Sequence, residues 1–516
     1  MSELSEQHSI NRRGFLTGTG LAALGLALPG ALAACGSGGG NGSGSTGSGS
    51  SSGGGGSAGG SASGSGSASG SGSASTSAGA SGSGSSASAA KPSGTVTLWM
   101  DIQGDANQKY FNDNVINAFH TAVPDVTVKV TYYKGQDLRQ QIQTALQAKS
   151  GPDIVRGPAA TQTIAWSNAG VLADLTGYAK TYGWTEKLDP WAVQAFTQSG
   201  KIFALPLRFD TMLVYYNKTL FDSKGWKAPT SKSELEALCA DAAGAGILPM
   251  GGSNVDWKAA SEWYMSIFFN EVAGPEAVYQ ALTGEIKFSD PAFVDSATLL
   301  QSYVEKGWFA GGANDYFSVP AAEVSARLGQ GKTAMLPQGE WFMSQMDTYF
   351  GKAANNDNEW DWMPCWSLGD KAQYPTYPIG IGGSLAINQA STNKDAAAAF
   401  LNWYFTDRKA ALQRMADVDA TYNIPIPIKE GDLPSSIDPR AGRLITEANK
   451  AIDAGNYGYV TWTWWPPKSD VWVYQGFDQV LTKKITPKEY CQKLADTFDQ
   501  EKSDGTIPQI IKRTAS

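Results

Sequence analysis

Histidine occurs only twice in these 516 residues, at His8 and His120. His120 follows Phe119 on an apolar helical face and reads as a packing residue, so a nucleophilic triad built on imidazole has no suitable base. Beyond Cys35, the cysteines Cys239, Cys365 and Cys491 are widely spaced and odd in number. That fits neither a zinc site nor a disulfide framework, and one bridge with one free thiol stays open. The chemistry left is that of carboxylates and indoles. The chain holds 17 tryptophans, and four of them crowd into YVTWTWWPPKSDVWVY, at Trp462, Trp464, Trp465 and Trp472. An indole suits a partner that is flat, apolar on one face and polar at its rim. Pro466 and Pro467 fix an extended path and deny strand pairing, which puts Trp465 at a loop edge. Alternation sets Trp462 and Trp464 on one face. At least one of Trp464 and Trp465 is expected to present a ring face, and Trp462 to lie in the core. Ser469 or Asp470 should cap a following helix with Val473, Phe477 and Val480 inward.

The elements that position such groups are legible further upstream. GTVTLWMD (Gly94–Asp101) alternates and then turns polar, a strand followed by a loop. Phe111, Val115 and Phe119 mark a helix. Val126–Tyr133 alternates again. Leu138, Ile142 and Leu146 mark a second helix, and PDIV is a short buried strand. This βαβ rhythm predicts α/β architecture with a largely parallel sheet covered on both faces. Ser231 with Glu234, and Thr486 with Pro487 and Glu489, read as helix starts. A third helix should begin at Asn393.

The first residues carry Arg12 and Arg13, then an apolar run from Leu21 to Leu32 that is short and rich in Gly and Ala. That is an export signal, similar to the twin-arginine class, rather than a membrane span. LAAC, ending at Cys35, resembles a bacterial lipobox. It implies a signal over residues 1–35 and a lipid on Cys35. From Gly36 to Ala90 only Gly, Ser, Ala, Thr and one Asn occur. Nothing there can be buried, so residues 36–92 are expected to be a disordered tether, roughly 40 Å end to end. The remaining ~425 residues exceed one usual core and suggest two domains. Net charge is −8, with no basic run beyond the signal, which argues against nucleic acid.

Four segments in order, GPDIVRGPA with GVLADLT, GKIFALPLRFDTMLVYYNKTLF, GKTAMLPQGEWF and YPIGIGGSLAIN, resemble the family 1 extracellular solute-binding proteins of bacterial ABC importers, the group containing the maltose-binding proteins. The resemblance implies a two-lobe periplasmic-binding-protein fold of class II type. Each lobe would be a mixed, mostly parallel sheet flanked by helices, with a hinge between them. Lobe 1 would take residues 93–210 and 377–422, lobe 2 residues 211–376 and 423–516, with crossings near 208–211, 377–383 and 422–428. It further implies a carbohydrate, an oligosaccharide, bound between the lobes and delivered to ABC permease subunits. The protein would be a monomer on the extracellular face of the cytoplasmic membrane, held by its lipid alone, with no catalytic residue, cofactor or metal.

The resemblance places an acidic sugar-binding residue at Asp210, with an ion pair to Arg208 as the competing role. It places aromatic platforms at Trp341 and near Trp464 and Trp465, and second-lobe contacts at Asp256 and Trp257. Asp101 and Gln103 follow the first strand, where parallel sheets bind ligands. Arg156 edges the loop after another strand. Gly382 lies where the backbone must flex or approach a ligand closely. Gly157 and Ala160 depart from the maltose-type pattern, which has polar groups there. A micromolar ligand needs about 8 kcal/mol. Three indoles burying roughly 100 Å² each supply about 2.5 kcal/mol apiece, so polar anchors are also required. The competing classes are a glycoside hydrolase with paired carboxylates and a polyamine or cation receptor of the same fold.

Overall fold

The computed structural model describes residues 91–102, 105–417, 423–429 and 431–513. The export signal, Cys35, nearly all of the tether and Gln103 lie outside the described residues, as does part of the third expected crossing, at residue 422.

The strands in chain order are β1 (Gly94–Met100), β2 (Val126–Tyr132), β3 (Ile154–Gly157), β4 (Thr197–Gln198), β5 (Lys201–Ile202), β6 (Ala204–Pro206), β7 (Phe209–Asn217), β8 (Leu248–Met250), β9 (Thr333–Gly339), β10 (Trp360–Met363), β11 (Pro378–Ile381), β12 (Ser384–Ile387) and β13 (Gly458–Tyr459). They build two principal sheets, one per lobe, and a small β4–β5 hairpin. The first sheet runs β2-β1-β3-β12-β6, and the second runs β13-β11-β7-β9-β8 with β10 also on β7. Val96, Leu98 and Met100 of β1 point inward and are buried, as alternation requires. Helices cover them: Phe119 meets Phe400 and Trp403 at 5.1 and 5.6 Å between ring centroids.

Both sheets are mixed, but parallel pairs are not in the majority. In the first sheet β1 pairs in parallel with β2 and β3, while β12 is antiparallel to β3 and β6. In the second, β7 is antiparallel to β9, β10 and β11. The βαβ rhythm of the first 60 or so folded residues does not extend past the point where the chain changes sheets.

That change happens in two short spans. The chain leaves the first sheet after Pro206 and enters the second at Phe209; it returns between Ile381 and Ser384. The spans are hydrogen-bonded to each other: Leu207 N donates to Gly383 O at 2.8 Å and Gly382 N to Arg208 O at 3.0 Å. A third segment joins them, with Phe209 N donating to Asn423 O at 2.8 Å.

Helix ends follow their sequence signals unevenly. Thr486 and Glu489 form a reciprocal capping box. Ser231 accepts from Glu234 N, but the Glu234 carboxylate turns to Thr230 instead. The helix Pro467–Leu481 has no side-chain cap from Ser469 or Asp470. Glu501 supplies it, accepting from Lys468 N at 2.7 Å and Ser469 N at 2.8 Å. A carboxylate at a helix N-terminus satisfies otherwise orphaned N–H groups.

Candidate functional site

The first crossing places Arg208 and Asp210 where the two sheets meet. Arg208 Nε donates to Asp210 Oδ1 at 3.0 Å. Trp462 Nε1 donates to the other oxygen, Oδ2, at 3.3 Å. Asp210 is 3 % exposed, so both of its oxygens are engaged inside the protein. Its ion-pair role is the one the geometry displays. The Arg208 side chain, by contrast, is 28 % exposed. Burial works against its charge, but Asp210, Glu340 and Asp101 outweigh burial and hold the guanidinium protonated more firmly than usual.

Glu340 completes this cluster. It stands between Gly339 and Trp341, at the start of a 3-10 helix, and is fully buried. Its Oε2 accepts from Thr211 N at 2.9 Å, while Oε1 has no partner among the described residues. Burial and then the neighbouring Asp210 push its carboxyl well above the usual range, against the pull of Arg208 and the Thr211 N–H.

Gly382 packs against the same ion pair. A Cβ there would overlap Asp210 Oδ1 and lie 2.5 Å from Arg208 Nε. Gly383 has φ +139°, and a Cβ would come within 2.9 Å of the Arg156 guanidinium. The close approach these glycines allow is therefore to protein side chains.

Indoles extend from this point in a row. Trp462 meets Trp341 at 6.2 Å and 67°. Trp341 meets Trp263 at 5.4 Å and 60°, and Trp263 is nearly parallel to Trp257 at 6.4 Å. Trp257 is 44 % exposed, and the other three are half-buried. Trp341 folds back over Gly339, where a Cβ would overlap its six-membered ring. Trp263 was not singled out from sequence. Its only signal is its place six residues after Trp257, a spacing that sets the two about 120° apart on a helix.

On the first-sheet side, Arg156 Nε lies 3.1 Å from Asp101 Oδ1, and Arg156 Nη1 donates to Gly157 O at 2.7 Å. The structure thus brings Asp101 and Arg156 together at the strand ends. Thr161 Oγ1 donates to Thr463 O at 3.2 Å, a buried contact between the two lobes.

Trp464 and Trp465 are a correction. Each is 2 % exposed, and neither presents a ring face. Trp465 packs on Phe288 at 4.8 Å and Phe498 at 6.1 Å. The reason is local. Thr461–Thr463 is a 3-10 turn, so successive side chains step by about 120° rather than alternating. Trp462 alone turns toward Asp210, and it is half-buried rather than core. Asp256 is exposed, but its carboxylate accepts from Ala321 N at 2.7 Å and so holds a helix start. His120 Nε2 accepts from Val128 N at 2.9 Å, a structural role. Cys239, Cys365 and Cys491 are all free thiols, so no bridge forms among them.

A family model for bacterial extracellular solute-binding proteins matches residues 103–411. A maltotriose-binding protein of Pyrococcus abyssi is 23 % identical over 335 residues, 63 % of this chain and 66 % of its own. A probable sugar-binding periplasmic protein of Mesorhizobium japonicum is 29 % identical over 140 residues; the match spans 27 % of this chain and 32 % of that protein. Among solved structures, a chitin oligosaccharide binding protein superposes with TM-score 0.67 at 22 % identity, covering 80 % of this chain and 99 % of its own. The GacH receptor of Streptomyces glaucescens GLA.O superposes with TM-score 0.62 at 20 % identity, over 80 % and 99 % of the two chains. At these identities the structural likeness speaks for the fold.

Proposed function

The chain belongs to the family of bacterial extracellular solute-binding proteins, and from that premise we propose that it captures a carbohydrate between its lobes and delivers it to an ABC permease. The observation that carries this reading is the indole row Trp257, Trp263, Trp341 and Trp462, which ends at the Arg208–Asp210 pair. Sugar rings have apolar C–H faces and polar rims, and indoles match the first while guanidinium and carboxylate groups match the second. Four indoles joined by ring-to-ring steps of 6.4, 5.4 and 6.2 Å carry more aromatic surface than a single pyranose covers, which supports an oligosaccharide as the ligand. Asp101 and Arg156 face it from the first lobe. Relatives named for sugar and maltotriose binding support the same class.

Because β7 begins at Phe209 and β11 spans Pro378–Ile381 in the second sheet, the lobes divide near residues 208 and 382 rather than at the expected 210 and 377, with residues 93–208 and 382–422 in one and 209–381 and 423–516 in the other. The signal over residues 1–35 leaves Cys35 lipidated, and residues 36–92 tether a monomeric receptor to the outer face of the cytoplasmic membrane. The receptor binds without turnover. The two carboxylates at the crossing, Asp210 and Glu340, are bonded within the protein, which suits neither the acid nor the base of a hydrolase. Arg208 opposes the cation-receptor reading, because a polyamine would meet a guanidinium.

The test is a mixed panel of malto-, cello-, xylo- and chito-oligosaccharides plus spermidine, read by tryptophan fluorescence, melting temperature and reducing-end release. A sugar should shift fluorescence and melting with no new reducing ends. Turnover, or a response to spermidine alone, overturns the reading.

A further inference from the structure

We infer that Arg208 is the polar group that reads the ligand, and that it selects a neutral saccharide by donating to two adjacent hydroxyls of one sugar ring. This rests on the carbohydrate reading above and goes beyond it, because the family resemblance pointed to the carboxylate of Asp210.

The two sides of Asp210 explain the choice. One oxygen takes Arg208 Nε at 3.0 Å and the other takes Trp462 Nε1 at 3.3 Å. With its side chain 5 % exposed, the carboxylate has little left to offer a ligand. Among the described residues the Arg208 side chain is hydrogen-bonded only through Nε. Among the described residues nothing meets its two terminal nitrogens, and they are not among the buried polar atoms left without a partner. They are therefore accessible, within a side chain 28 % exposed. A guanidinium held at Nε presents Nη1 and Nη2 as a rigid fork, a geometry that fits paired oxygen acceptors.

Trp462 and Arg208 bind the two oxygens of the same carboxylate, so the fork and the indole lie one carboxylate apart. A pyranose could rest its C–H face on the ring while two neighbouring hydroxyl oxygens accept from the fork. Charge favours a neutral partner. Asp210 already faces Arg208, and Asp101 faces Arg156 at 3.1 Å. The fork then acts as a pair of hydrogen-bond donors rather than as an uncompensated counter-ion.

The experiment is titration calorimetry on wild type, R208K, R208M and D210N. The probes are maltotetraose, cellotetraose, xylotetraose, chitotetraose and trigalacturonate. R208K keeps a cation beside Asp210 but removes the fork, so it guards against misfolding that R208M could bring. Affinity for whichever neutral tetraose binds wild type should fall about 10- to 100-fold in R208K and R208M, with the R208K melting temperature near wild type. D210N, which leaves a carbonyl oxygen for Arg208 Nε, should lose less. R208K binding within about threefold of wild type overturns the inference. So does a greater loss in D210N than in R208K, or a preference for trigalacturonate. Those outcomes leave the carbohydrate reading intact. If no neutral tetraose binds wild type, that reading falls and the inference falls with it.

Discussion

Replacing Gly382 with alanine tests the packing that aligns the Arg208–Asp210 pair. The glycine is buried, and its backbone does not need the left-handed region, so the effect is steric. The added Cβ would lie 2.5 Å from Arg208 Nε and closer still to Asp210 Oδ1, about 1 Å inside normal contact. Neither neighbour is the loose end of a flexible chain. Asp210 is pinned by Trp462, and Nε is the inner nitrogen of Arg208. The pair must part, or the backbone between Ile381 and Ser384 must move. Overpacking of this kind costs about 1–3 kcal/mol of stability. Losing the orientation of one charge-assisted hydrogen bond costs about tenfold or more in affinity. Thermal melts and calorimetry with the best-binding oligosaccharide measure both. Gly177→Ala is the control, since a Cβ at that exposed helical site meets nothing within 4 Å; it should be neutral or stabilise slightly. A Gly382→Ala protein with wild-type melting and affinity would falsify the packing argument.

Trp465→Ala should cost about 3–5 kcal/mol of stability, as for other large buried aromatics, with sugar affinity of the folded fraction unchanged; Trp462→Ala should do the reverse, and equal affinity losses would restore the platform first expected at Trp465. Glu271 is fully buried, neither of its carboxyl oxygens has a partner among the described residues, and burial raises its pKa well above 4.5. A folded-state pKa above the unfolded one means that stability is greatest below the unfolded value and declines as pH rises toward the folded one, by up to about 1.4 kcal/mol per pH unit. Glu271→Gln removes that slope, so the variant should gain on wild type in melting temperature between pH 5 and pH 8; parallel profiles would refute the assignment.

Much of the scaffold was legible because its signals are local. Val96 and Leu98 alternate, Phe111, Val115 and Phe119 repeat every four residues, and Thr486 finds Glu489 three positions on. The two-lobe plan came from the order of four short segments rather than from any period. The site was less legible because its contacts join distant parts of the chain. Asp210 meets Trp462 across 252 positions, and Thr211 N meets Glu340 across 129. No local rule buries Glu340, whose neighbours Gly339 and Trp341 look like a turn. The tryptophan cluster failed for a narrower reason. An extended path was assumed, and one 3-10 turn reassigned which indole faces the crossing.

The hydrogen bonds that tie Leu207 to Gly383, Arg208 to Gly382 and Phe209 to Asn423 also fix a pivot. If one lobe rotates about these spans, atoms beside them travel little, and atoms far along the lever arm travel most. Arg208 and Trp462 stand at the short end, while Trp257 lies three ring-to-ring steps away. A contact at the short end is made almost equally in open and closed forms, so it adds affinity without exerting torque. Only contacts that change between the two forms shift the balance toward closure. All four indoles follow strands of the second sheet, so the row would hold a ligand alike in both forms, and the drive to close would fall to groups of the other lobe, such as Asp101 and Arg156. A ligand that touched the row alone would occupy this protein without shutting it.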